Sequence, residues 1–534
     1  MTHPERLKRP TTAPETTCAT GTACDDGFDT RLPPGDTFTP HGVIEMLPGV
    51  VPPLLWTINA PMLENAFRTV FTGLGADPPS LSRPLLARTR GRAALNLSAL
   101  CAVAESLPGG DPLEVERQYL GCTITPGLCD KKKRSRWHLL TAIRSRAAHR
   151  RIAEEVELIS TAAHAIARID VDTQVLSVGR LVAYRQRIRD LAWRGYAAEV
   201  GASSAAGATY RALEILLEKW LPDDTAQTWA QRLTSDAIDR EEPYPGPPPL
   251  RSRSMYGDEV WVGGYSTEPR YPGGPARNGR QADRYGELLE QLTRDKKWRR
   301  TRLLTGQVID LRVRWLRRQV NETKRFISLR ERAKNALLVL GGEERRVIDE
   351  AADRLVASQQ LPESSLVEYM SDSELDDMLF GTRVFAETKI EWRVRAGMSC
   401  RQMETLPDWF GGSVGEDNHR PPSSSILNGI GTSPGSATGS ARILASPADG
   451  VHLRSGDILV AHSTDPSWTP LFARAAGVVL ETGGPLSHAS IVARDLGIPA
   501  VLRVPGATRL IDDDNRVAVD GTAGKIEIVG REQQ

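Results

Sequence analysis

No stretch of this 534-residue sequence approaches 18 consecutive uncharged apolar residues, which excludes a membrane-spanning helix as a sequence-level reading. The opening residues, MTHPERLKRPTTAPETTCATG, carry charges and prolines and have no apolar core of the kind that marks a secretory signal. Cysteine is scarce. Cys18, Cys24, Cys101, Cys122, Cys129 and Cys400 are too few and too scattered for a disulfide framework, and no CxxC pair suggests a zinc site. Net charge is nearly absent as well, since 68 basic side chains face 67 acidic ones, so nothing global points to nucleic acid. These absences lead to the expectation of a cytoplasmic protein with free thiols and neither a membrane nor a nucleic-acid partner.

What is present is ordinary globular composition, 40% hydrophobic and 25% charged, in a chain too long for one core. At about 150 residues per domain, two to four units are expected. Residues 1–35 are rich in Thr, Pro, Gly and Asp without periodicity and read as a disordered tail. From 36 to 412 the pattern is largely helical. In PMLENAFRTVF, for example, Met62, Leu63, Ala66, Phe67 and Val70 recur at spacings of three and four. Val308, Leu311 and Trp315 are expected on one buried helix face, and Gly341-Gly342 is expected to stop that helix. Within this region, 241–283 concentrates Pro, Gly, Arg and Tyr, which opposes both helix and regular strand and reads as an insertion. A Gly/Pro/Ser-rich stretch at 413–428 reads as a linker and a hinge. From 429 to 531 the segments ARIL, DILVA, GVVLE, PAVLRV, RVAVD and KIEIV read as short strands of a small α/β domain. The fold expected is therefore multidomain, a large mostly α-helical domain followed by a small α/β (β/β/α) domain.

Chemistry concentrates between Ala475 and Val504, where AAGVVLETGGPLSHASIVARDLGIPAVLRV reads as strand, Gly-rich turn, helix and strand. Gly483 and Gly484 permit a tight turn, Ser487 is a good N-cap, and Gly497 with Pro499 ends the helix. His488 then falls in the first helical turn, where unpaired N–H groups and the positive end of the macrodipole favour an anion. The same field disfavours an imidazolium, so a neutral, nucleophilic ring is expected. Taken alone, a histidine at a helix start is more often a polar residue with no chemistry. Two other features carry little: GTAGK at 521–525 fails the P-loop spacing, and the arginines at 312, 314, 317, 318 and 325 fit a solvated helix face better than a phosphate clamp. The basic run at 131–136 is likewise read as surface or as a contact for an acidic partner.

The longer string changes the balance. Thr482-Gly483-Gly484-x-x-Ser487-His488-Ala489, followed by Ile491-Val492-Ala493-Arg494 and Gly497-Ile498-Pro499-Ala500, resembles the phosphohistidine signature of the PEP-utilising enzyme family. That family includes phosphoenolpyruvate synthase, pyruvate phosphate dikinase, enzyme I of the sugar phosphotransferase system and rifampicin phosphotransferase. The resemblance extends to GIGTSPGSATGSARIL at 429–444 and to DILVAHSTDPSWTPLF at 457–472, with Thr464, Asp465, Pro466 and Thr469 in the loop before the histidine strand. It implies a swivelling domain in which His488 carries a phosphoryl group, with Thr482, Gly483, Gly484 and Ser487 as phosphate neighbours. Arg494, further along the helix, is expected to be structural or at the surface.

In the family an ATP-grasp domain phosphorylates the histidine, and neither that domain nor the PEP-binding barrel is recognisable in this sequence. The resemblance therefore implies an ATP-grasp partner in trans that holds ATP and Mg2+, no metal held firmly by this chain, and a small-molecule acceptor of unknown identity. A helical region ahead of the histidine domain resembles the domain order of rifampicin phosphotransferase. FTPHGVIEMLPGVVPPLLWTINAPMLENAF (38–67), GRAALNLSALC (91–101) and VNETKRFISLRERAKNALLVLG (320–341) look like pieces of its substrate-binding part. The PGVVPPLLW segment departs from the Pro-Leu-Thr pattern expected there, so substrate identity does not carry over. The expectation is a phosphotransferase incomplete without its partner. The alternatives are a carrier subunit of a split phosphoenolpyruvate synthase or dikinase and a noncatalytic scaffold.

Overall fold

The structure is a computed structural model that describes residues 29–531, except 45, 108–109, 121–123, 125–137, 170, 236–249, 254–258, 263–286, 289, 292–307, 404–405, 413–425 and 465–467. Most of the expected tail, the basic run at 131–136, most of the 241–283 insertion and Asp465 and Pro466 lie outside the described residues. Among the described residues, no helix is long and apolar enough to cross a membrane.

A large helical region precedes an α/β sheet domain. The helical region comprises α1 (Pro53–Leu74), α2 (Leu97–Ser106), α3 (Pro112–Leu120), α4 (His138–Arg168), α5 (Val178–Glu218), α6 (Asp223–Thr234), α7 (Val308–Ala357), α8 (Asp372–Leu379) and α9 (Glu387–Gln402). Its start shows how local sequence sets the elements. Pro53 opens α1, where a missing N–H costs nothing, and Gly75 closes it at φ +99, a left-handed conformation that glycine adopts without strain. Met62, Leu63, Ala66 and Phe67 are buried on its inner face, as their spacing predicts. The spine is the long pairing of α5 with α7, of 41 and 50 residues. Small residues on α5 let neighbours close in: a Cβ on Gly195 would meet Leu337 Cδ2 at 2.8 Å, and one on Gly201 would meet Ile152 Cγ1 at 3.1 Å.

Five expectations need correction. The segment 29–35 is not part of a tail, because Thr30 N donates to Arg88 O and Asp29 Oδ1 accepts from Gly91 N, which fastens it to a small sheet. That antiparallel sheet, β1 (Thr37–Thr39), β2 (Leu86–Thr89), β3 (Arg92–Asn96) and β6 (Phe410–Gly411) in the order β2-β3-β1-β6, was unforeseen in a region read as helical. Gly341-Gly342 does not stop a helix: α7 runs through it, since packing of Val347, Ile348, Ala351 and Leu355 into the core outweighs the roughly 1 kcal/mol per residue that glycine costs. The face of α7 is also shifted, with Leu316 and Val320 buried and Trp315 61% exposed. Within the insertion, β4 (Leu250–Arg253) and β5 (Glu259–Val262) pair as a hairpin despite the unfavourable composition.

The C-terminal domain is built on one sheet of β7 (Ile426–Asn428), β8 (Ile430–Ser433), β9 (Ser436–Ile443), β10 (Ile458–Ala461), β11 (Gly477–Leu480), β12 (Ala500–Leu502), β13 (Asn515–Asp520) and β14 (Lys525–Arg531). Its order is β7-β14-β13-β9-β10-β11-β12-β8, with β9, β10, β11 and β12 parallel and the flanking strands antiparallel. Because β7 pairs with β14, residues 426–428 belong to the sheet and not to the linker. Both faces of the parallel strands are covered. Leu459, Ala461, Val478 and Leu480 enter one apolar cluster, while Ile458, Val460 and Val479 enter another, which is why DILVA and GVVLE read as continuous apolar runs. Three short helices complete the domain: α10 (Thr469–Phe472), α11 (His488–Leu496) and α12 (Ala507–Leu510).

Candidate active site around His488

The turn between β11 and α11 is the core of the site. Gly483 sits at φ +107, and a Cβ there would come within 2.7 Å of Leu502 Cδ2, so both conformation and space demand glycine. Ser487 is the N-cap of α11: its Oγ accepts from Ser490 N at 3.4 Å and lies 3.0 Å from Ser490 Oγ. Gly484 O accepts from Ser487 N and from Ser490 Oγ, which closes the turn. Gly497 ends α11 at φ +71.

His488 is the first residue of α11 and is 2% exposed. Its Nδ1 lies 2.7 Å from Glu331 Oε2, on α7, and its Nε2 lies 3.1 Å from Thr469 Oγ1, at the start of α10. An ionised carboxylate only accepts, so Nδ1 carries a proton; in the neutral form of the ring Nε2 keeps the lone pair and accepts from the Thr469 hydroxyl. Glu331 is ionised by its surroundings. Burial alone would raise its pKa, but the charge that His488 bears when protonated, the hydrogen bond from His488 and the charges of Lys334 and Arg330 outweigh burial and hold it at about 2.

The helical region completes the pocket. Arg330 Nε donates to Ser203 Oγ at 3.0 Å, its Nη1 donates to Leu486 O, and it lies 3.6 Å from Glu331 Oε1 and 3.9 Å from Glu199 Oε1. Ser203 Oγ donates in turn to Glu199 Oε1 at 2.6 Å. Arg330, Lys334, Glu199 and Glu331 are all buried. Tyr119 belongs to the same surroundings: burial first, and the negative charge of Glu199 second, push its phenol up to about 12 against the opposing effect of Arg330. A guanidinium and an ammonium beside a histidine with one free lone pair suit the handling of a phosphoryl group, whose oxygens need fixed positive charge.

The residues singled out from sequence divide in two. His488, Gly484 and Ser487 meet at the start of α11, with Gly483 in the turn before them, whereas Thr482 is turned aside, its N–H and Oγ1 both donating to His462 O. Ser487 and Gly484 are engaged in the cap. Arg494 is 6% exposed and donates from Nη1 to Thr432 O, a buried tie within the domain. Arg314, Arg317, Arg318 and Arg325 are exposed on α7, and the side chain of Arg312 lies outside the described residues. Sequence reasoning missed Arg330, Glu331 and Lys334. The signal was present in LRERAKN, where three charges sit among Ile327, Leu329 and Ala333, but helical charges at that spacing look the same when they pair on a surface.

Fold and site together define a class: a two-faced α/β sheet domain that presents a histidine at a helix N-terminus to a charged pocket on a helical neighbour. Residues 453–524 match the family model for the PEP-utilising enzyme mobile domain. The chain is similar to a rifampicin phosphotransferase from a Streptomyces species, 33% identical over 220 residues that cover 40% of this chain and 25% of that one. It is 32% identical over 225 residues to the Bacillus cereus rifampicin phosphotransferase, covering 40% of this chain and 25% of that protein. A probable phosphoenolpyruvate synthase from Archaeoglobus fulgidus is 29% identical over 192 residues, covering 34% of this chain and 26% of that protein. The aligned stretch thus spans about a quarter of the length of these relatives.

Proposed function

We propose that this chain is a phosphotransferase component in which His488 Nε2 receives a phosphoryl group and passes it to a hydroxyl acceptor bound by the helical region. The observation that carries the reading is the Glu331–His488 pair, which joins a carboxylate of the helical region to the histidine of the mobile domain at 2.7 Å. In the docked form Nδ1–H donates to Glu331, which leaves Nε2 as the atom that carries the phosphoryl group and makes it the attacking atom in the donor step. Its lone pair forms a P–N bond as the donor's P–O bond breaks. In the second step the acceptor oxygen forms the new P–O bond, the P–N bond breaks, and its electron pair returns to Nε2, where the acceptor's proton ends. Arg330 and Lys334 supply positive charge for the phosphoryl oxygens, and Glu331 stabilises the imidazolium that forms.

The donor is assigned to an ATP-grasp protein in trans that holds ATP and Mg2+. His488 is 2% exposed when docked on α7, so the donor must meet the mobile domain in another arrangement. The test is intact-protein mass spectrometry at alkaline pH, after incubation with ATP, magnesium and a cell extract that supplies the donor, on wild type and His488→Gln. The expected result is an acid-labile phosphoryl adduct in wild type alone. Loss of the adduct from both proteins with every donor, phosphoenolpyruvate included, would overturn the proposal.

A further inference from the structure

Arg503 has a backbone conformation that its residue type disfavours. It sits at φ +55, in the left-handed region, immediately after β12, and it is 8% exposed. Residues held in such conformations persist where the surroundings require the side chain itself. Here the side chain spans two regions of the protein. Its Nε donates to Gly483 O at 2.9 Å, in the turn that leads to His488, and its Nη2 donates to Tyr119 O at the end of α3 in the helical region. The guanidinium thus ties the turn before the histidine to the wall of the pocket it enters.

Tyr119 is itself held firmly. A Cβ on Gly42 would come within 2.4 Å of Tyr119 Cε1, so the ring lies flush against the Gly42 backbone, and its phenol feels the charges of Glu199 and Arg330. Besides the His488–Glu331 pair, two further hydrogen bonds among the described residues cross between the regions, Arg330 Nη1 to Leu486 O and Gln231 Nε2 to Gly431 O, both donated by the helical region. Arg503 donates in the opposite direction and contacts neither Glu331 nor the ring of His488 in any hydrogen bond described above.

We infer that Arg503 is a docking latch, a positioning residue that holds the Gly483–His488 turn against α3 and so keeps His488 seated on Glu331. A lysine cannot replace it, because one ammonium at the end of a flexible stem cannot reproduce the forked geometry that reaches two carbonyls at once. The latch bears on phosphoryl relay only if the proposed function is right, but its existence is tested without any phosphoryl donor.

The experiment uses the full chain and reads carbethoxylation of His488 by diethyl pyrocarbonate, followed by peptide mass mapping, beside thermal unfolding. Arg503→Gly relieves the left-handed strain, so its melting temperature should equal or exceed that of wild type. Loss of the latch should nevertheless speed modification of His488 roughly three- to tenfold, the effect of one or two net hydrogen bonds on the docked population. Arg503→Lys keeps the backbone strain and the charge and should show the same acceleration. Should Arg503→Gly melt lower than wild type, the lysine variant decides. Modification of His488 at the wild-type rate in a variant that melts normally would overturn the latch, whether or not His488 carries phosphate.

Discussion

At the residue scale, the chemistry of His488 is decided by a neighbour 157 positions away in sequence. The helix N-terminus accounts for why an anion is welcome at the ring, and under the proposed function Glu331, by accepting from Nδ1–H, leaves Nε2 to carry the phosphoryl group. Glu331→Gln tests this directly. An amide can accept from Nδ1–H but carries no charge, so it cannot stabilise the imidazolium left when the phosphoryl group departs. Because Glu331 faces His488 only in the docked arrangement, transfer from phosphorylated His488 to the acceptor should slow by about 10²- to 10⁴-fold, with little change in fold. Rapid-quench measurement of phosphohistidine decay in pre-labelled protein on addition of acceptor checks this, and a variant that transfers at the wild-type rate would remove Glu331 from the mechanism. His488 was legible because its turn, cap and helix are contiguous, each with its own sequence signature. Glu331, Arg330 and Lys334 were not, since nothing local separates a charge aimed at another domain from one that pairs on its own helix.

At the element scale, the clearest departures from expectation occur where tertiary packing overrides local preference. α7 passes through Gly341-Gly342 because both flanking segments are packed, and α5 uses glycine and alanine to let α4 and α7 approach. Gly195→Leu would drive a large side chain into Leu337 and Ile159 and should destabilise the protein by about 1–3 kcal/mol, measured as a lower urea midpoint at unchanged slope. α8 shows the opposite case, in which local chemistry is sufficient. Ser371 and Glu374 form a reciprocal capping box, and Glu374 also pairs with Arg393 and Lys389. Ser371→Ala should cost about 1 kcal/mol. Burial would raise the Glu374 pKa, but the hydrogen bonds from Arg393, from the Ser371 backbone and from Lys389 outweigh it and hold the carboxyl at about 2, against an ordinary value of 4.5. A depressed carboxylate stabilises fully above its unfolded value and ceases to as it protonates. The contribution should therefore be intact above pH 4.5 and disappear as pH falls toward about 2. Thermal melts of wild type and Glu374→Gln across that interval should converge at the acid end; a constant gap would place the stabilisation elsewhere.

At the scale of the whole molecule, under the proposed function the arrangement described is the acceptor-facing one, and its cohesion opposes the donor. Leu486 packs against two apolar clusters of the helical region, one around Leu213, Leu316 and Val320 and another around Ala202, Phe326 and Ile327, and Ile491 of α11 is part of the second. These two side chains flank the histidine on its own turn and helix, so any partner that reaches Nε2 must first draw them out of those clusters. A donor that binds only the undocked form has an apparent affinity reduced by the undocked fraction. Leu486→Ala removes about 1–2 kcal/mol of apolar contact, which should lower the docked-to-undocked ratio by roughly five- to thirtyfold. The two half-reactions must then respond with opposite signs: labelling of His488 by the donor should speed, while transfer from pre-labelled protein to the acceptor should slow. A general loss of folding would slow both, and a carrier that worked without docking on α7 would change neither. Opposite shifts in paired single-turnover measurements would thus mark the Leu486–Ile491 contact as the brake on the donor step and the seat of the acceptor step.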